Sequence, residues 1–111
     1  MNSLKNWKNN KNGVRYKVTF ESVIWAVCKV KKISTSFTRN KNKKWKYTMP
    51  RTMAYALLRI NYSRDEIADY FNLHRTTTYN MDEVHNDLLN SNQYYYADEF
   101  YMVIRWIVQT N

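Results

Sequence analysis

Glycine, proline and cysteine each occur once in the 111 residues. So few turn formers cannot serve a many-stranded sandwich or barrel, and they point to helices with short connections. The lone Cys28 has no partner for an internal disulfide. Only His74 and His85 accompany it, at no zinc-binding spacing, so no metal and no cofactor are expected. Cys28 lies in an apolar helical pattern and reads as a buried small hydrophobe in a reducing interior. Long apolar runs are missing too. The most apolar stretch, Tyr101 to Val108, is eight residues with Arg105 inside, too short to cross a bilayer. The polar, basic start shows no signal peptide. A cytoplasmic, nucleoid-associated protein is the expectation.

Acid is nearly absent from the first half. Residues 1–60 hold 15 Lys/Arg and one acid, Glu21, for +14. Residues 61–111 hold 3 Lys/Arg and 8 acids, for −5. A phosphate backbone is the simplest partner for so one-sided a distribution. An anionic membrane surface wants a basic helix with a continuous apolar face, which the densest basic run, 39–46, does not show.

What is present is organised around residues 63–89. Ser63 and Glu66 have the spacing of a capping box. Ile67, Ala68 and Phe71 follow on one helical face. Asn72 can adopt the left-handed backbone that ends a helix, and Leu73 plugs the turn. A second helix begins near His74 or Arg75, with Met81, Val84 and Leu88 inward and Thr76, Thr77 and Asn80 outward. This is the layout of a helix-turn-helix whose second helix enters the major groove. Arg75 can bond a guanine bidentately and Asn80 an adenine. The threonines reach bases or phosphates and can touch a thymine methyl. The same layout also occurs in purely structural bundles.

The chain in order reads as a basic arm over 1–17 and a helical domain over 18–111. A first helix runs from about Phe20 to Val30, capped by Thr19, with Phe20, Ile24, Val27 and Cys28 on its apolar face. A short helix follows near Thr35–Arg39, with Phe37 inward. The run 39–47 reads as a basic loop whose Lys41, Lys43, Lys44 and Lys46 can neutralise phosphates and whose Trp45 and Tyr47 lie against sugars or anchor the loop. Thr48 and Pro50 mark the next helix start, which places Arg51 at a helix N-terminus suited to an anion. After a polar break, 90–93, an aromatic helix closes the chain over 95–109, with Phe100, Val103/Ile104 and Ile107/Val108 as its stripe.

This order resembles the C-terminal DNA-binding domain of the bacterial replication initiator DnaA. That domain has an amphipathic helix, a short helix, a basic loop, a long helix and a helix-turn-helix. The likeness covers about Phe20 to Leu88. The family reads its DNA box with a D-H-T-T motif; by the resemblance His74 takes the histidine place and Thr76 and Thr77 the hydroxyl places. The motif's aspartate is absent, Arg75 interrupts it, and the turn is short, as in ordinary repressors such as the Trp repressor. For the family's minor-groove arginine, Lys43, Lys44, Lys46 and Arg51 are all candidates. The family's ATPase motif is absent, so the resemblance implies a stand-alone module.

The expected fold is therefore an all-α bundle containing a helix-turn-helix. The expected function is sequence-specific double-stranded DNA binding, in transcriptional regulation or at a replication origin. Arg75, Thr76, Thr77 and Asn80 would read bases; His74, Lys41, Lys43, Lys44, Lys46 and Arg51 would hold the backbone. The alternative is a protein-interaction module, or a homodimer, using the aromatic C-terminal helix. No catalytic constellation is assembled, so an enzyme is not expected. Richness in Lys, Asn, Tyr and Ile fits an AT-rich source such as a phage or mobile element.

Overall fold

Helix α1 (Phe20–Lys31) starts at Thr19, whose hydroxyl accepts from the Ser22 amide at 3.1 Å while Ser22 Oγ accepts from the Thr19 amide at 3.0 Å. It buries Val23, Ile24, Ala26 and Val27 and ends at Lys32 in the left-handed region. The structure is a computed structural model that describes residues 18–39 and 44–110. The expected arm, 1–17, and Lys41 and Lys43 of the basic run lie outside the described residues. Among the described residues every regular element is helical.

A 3₁₀ turn (Thr35–Thr38) carries Phe37 into the core. Helix α2 (Trp45–Leu58) runs through the centre, burying every residue from Met49 to Tyr55 and also Leu57 and Leu58. Helix α3 (Arg64–Phe71) opens with the reciprocal Ser63–Glu66 capping box, its bonds 3.1 and 2.8 Å long. Asn72 closes it with φ 56°, the left-handed turn that Asn accepts more readily than other non-glycine residues. Helix α4 (Arg75–Ser91) then buries Thr78, Met81, His85 and Leu88. Helix α5 (Tyr96–Thr110) packs against α1 and α4 through Tyr96, Phe100, Val103, Ile104 and Ile107.

Four expectations need correction. The third helix begins at Trp45, not at Thr48–Pro50, so Trp45, Lys46 and Tyr47 leave the loop and Pro50 lies inside the helix. Pro50 has no amide to give Lys46. One lost bond near a helix start is tolerated when the following turns are wholly buried. Arg51 is consequently not at a helix N-terminus, and it is 6% exposed. Next, the break lies two residues later, because Asn90 and Ser91 are helical and the connection is 92–95. Then the last helix begins at Tyr96, because Tyr94 and Tyr95 have positive φ. Finally, Cys28 is half-buried, and burial raises its thiol pKa.

With so little glycine, Asn92 does two jobs. Its left-handed backbone ends α4. Its Oδ1 accepts the Ala97 and Asp98 amides at 2.8 and 3.3 Å, capping α5. Nearby, the fully buried Tyr96 hydroxyl lies 2.7 Å from His85 Nδ1, joining α5 to α4. Burial pushes the Tyr96 phenol up and the His85 imidazole down, so both partners of this bond are held neutral. Phe100 packs against the His85 ring with centroids 4.8 Å apart.

Two predictions follow from these joints. In urea melts, stability should fall in the order wild type, Asn92→Gly, Asn92→Ala. Glycine loses only the side-chain cap, while alanine also strains the left-handed turn, for a total of about 2 kcal/mol. An alanine variant as stable as the glycine variant would remove the turn from this account. The second prediction concerns acid. Burial holds His85 down at about 4 against 6.5 in the unfolded chain, the Asp82 charge partly opposing the shift. Between those values the unfolded chain binds a proton that the folded chain refuses. Its contribution is therefore complete above pH 6.5 and is lost as pH falls toward 4, by about 3 kcal/mol. Unfolding midpoints measured from pH 7 to 4 should show this loss, and the paired variant His85→Leu/Tyr96→Phe should flatten it.

Candidate nucleic-acid interface

The first two turns of α4 are two-faced. Thr78 is fully buried and its hydroxyl donates to the Arg75 carbonyl at 2.6 Å, fixing the helix start. Arg75, Thr76, Thr77 and Asn80 are exposed. Thr76, Thr77 and Asn80 stand over a cleft of about 620 Å³, between α2 and α4, whose far wall carries Trp45, Thr48 and Arg51. Leu73, Met81 and Val84 form part of its apolar lining. Residues picked from two separate stretches of sequence thus share one surface.

Other expected residues are placed differently. Arg75 is outside this cleft; its Nε lies 3.0 Å from Asp65 Oδ1 of α3. His74 is the N-cap of α4, exposed, with Nδ1 3.4 Å from the Thr76 hydroxyl. Lys44 is the N-cap of α2 and is exposed, as is Lys46, whose ammonium lies 5.6 Å from the Tyr47 ring. Neither His74 nor Lys44 makes a side-chain capping bond, whereas α1 and α3 both start with full capping boxes. The positive dipole ends of α2 and α4 add to the potential on the side where the lysines lie. Arg51 donates Nη1 to the Phe37 carbonyl at 3.1 Å; burial lowers its pKa, yet a guanidinium remains charged. Its geometry makes it a wall of the cleft, not an extended arm.

The acids are now placed too. Thr76, Asn80, Glu83 and Asp87 fall at i, i+4, i+7 and i+11, and all four are exposed on one face of α4. The acid-free part of that face is therefore the start of the helix, with Glu83 about 10 Å and Asp87 about 16 Å beyond Thr76. Asp82 points elsewhere, pairing with Arg64 of α3.

Arg64 is a residue that pattern reading passed over. Its Nη1 contacts Asp82 and also donates to the Tyr55 hydroxyl at 2.7 Å, and its guanidinium lies 4.0 Å from the Tyr79 ring centroid. The Asp82 hydrogen bond raises the Arg64 pKa. Burial, with the Asp82 charge, raises that of Tyr55. This cluster ties α2, α3 and α4 together and sets how α4 is presented. A cation in the first turn of a helix opposes the macrodipole; that was the available signal that Arg64 answers to an acid elsewhere.

A second exposed surface lies between α1 and α5. Trp25 and Trp106, 38% and 36% exposed, meet edge to face with centroids 5.4 Å apart, and Met102 is exposed. No described helix is long and apolar enough to cross a membrane. No protein-family model, curated protein or solved structure matches the chain.

Proposed function

We propose that the protein is a sequence-specific reader of double-stranded DNA that lays the start of α4 in the major groove. The observation that carries this reading is the exposed, acid-free face of Thr76, Thr77 and Asn80, held over the basic start of α2 by a buried opposite face. Asn80 and the threonines read base edges, with Arg75 beside them. His74, Lys44 and Lys46 hold phosphates, and Lys41 and Lys43 add positive charge. Arg51 shapes the cleft. The order of helices and the resemblance of His74, Thr76 and Thr77 to the DnaA box-reading motif support a stand-alone binding module, not an enzyme, serving transcription or a replication origin. Glu83 and Asp87 limit the contact to about two turns of α4, because deeper insertion would bring carboxylates against phosphate.

A protein-interaction role is the second reading. The Trp25–Trp106 face with Met102 favours it, since paired exposed aromatics are costly to leave in water.

Selection from a random duplex pool, followed by titration across salt, tests the reading. A defined motif is expected, with a log–log salt slope of about −4 to −6 for five or six phosphate contacts. Asn80→Ala should relax preference at one base pair, while Lys44→Ala/Lys46→Ala should weaken every sequence alike and shallow the slope by about 1 to 2. Glu83→Gln/Asp87→Asn should tighten binding to all sequences. No enriched motif and no affinity at low salt would reject the DNA reading and turn attention to the tryptophan face.

A further inference from the structure

Arg75 is the first residue of α4, and Asp65 is the second residue of α3. The two meet with Nε 3.0 Å from Oδ1, and both side chains are well exposed, at 60% and 70%. So exposed an ion pair adds little to folding stability. Its geometry matters more. A guanidinium has five N–H groups, and the end-on fork of Nη1 and Nη2 is the pair that meets two acceptors of a guanine. Asp65 meets the group at Nε, which is not one of the two nitrogens of that fork. The backbone beneath it is held as well, by the buried Thr78 hydroxyl on the Arg75 carbonyl at 2.6 Å. The turn between the two helices is closed by the Leu73 amide on the Ala68 carbonyl at 2.8 Å. The Arg75 backbone is thus held, and its guanidinium has a partner, before any ligand arrives.

We propose that Asp65 is a positioning residue for base readout, holding the Arg75 guanidinium with its fork presented to one guanine of the target. The inference rests on α4 being the base-reading helix. It explains an acid on the DNA-facing side of α3 that would otherwise only repel phosphate. A free arginine chain must be ordered on binding, and an arginine already held loses less freedom. The gain appears at the one base pair that Arg75 meets and nowhere else.

The test uses the full chain and the motif selected by the wild-type protein, with each base pair of that motif varied in turn. Arg75→Ala should abolish the preference for guanine at one position, a loss of about tenfold or more. Asp65→Asn should reduce the preference at that same position by about three- to tenfold, while affinity for the other variants and for random duplex stays equal or rises. Asp65→Glu should restore part of the preference. Asp69→Asn removes the same charge from the same helix one turn on, and should leave base preference unchanged. Thermal melts of Asp65→Asn should show at most a small loss, from the charge taken off the first turn of α3. If Asp65→Asn and Asp69→Asn shift all sequences alike, Asp65 is only a charge and the positioning role is overturned while the DNA reading stands. If the wild-type protein selects no motif, the DNA reading itself has failed and this inference goes with it.

Discussion

Everything in this fold is arranged around a helix whose later turns have almost no surface of their own. From Met49 to Tyr55 α2 is buried on every side. A helix so enclosed must either be apolar all round or have its polar groups answered. Here they are answered. Thr52 donates to the Thr48 carbonyl, Arg51 to the Phe37 carbonyl, and the Tyr55 hydroxyl accepts from Arg64. The Thr52 bond stays within α2, and the other two recruit neighbours. Arg51 fixes the 3₁₀ turn, and Tyr55 reaches through Arg64 to α3 and on to Asp82 of α4.

That chain of contacts connects the core to the proposed reading face. α4 is held from behind by Met81, His85 and Leu88, from the side by Arg64, and at its start by Thr78. What remains exposed is a short run of hydroxyls and an amide beside a cleft. Rigid presentation of a few polar groups is the requirement for reading base edges. The acids of α4 bound the same face from the other end, so a single helix carries both the proposed contact and its limit.

Much of this was legible in the residues. The Ser63–Glu66 box, the Asn72 turn, the Thr19 cap and the inward positions of Phe37, Met81 and Leu88 follow from local rules, because capping and helical periodicity act over one or two turns. The start of α2 was not legible. Pro50 usually marks a helix entrance, and only the burial of the following turns allows the helix to begin at Trp45. Neither the His85–Tyr96 bond nor the Arg64 cluster could be read, since each joins residues 9 to 18 positions apart through packing.

The sequence by itself determined an all-helical chain, the caps and turn of residues 63–75, and the exposure of Thr76, Thr77 and Asn80, because these depend on near neighbours. Tertiary structure alone decided that Arg51 is a buried wall of the cleft, that Arg75 meets Asp65, and that Arg64 locks α2, α3 and α4. Long side chains on neighbouring helices choose partners by distance in space, and helix packing sets that distance.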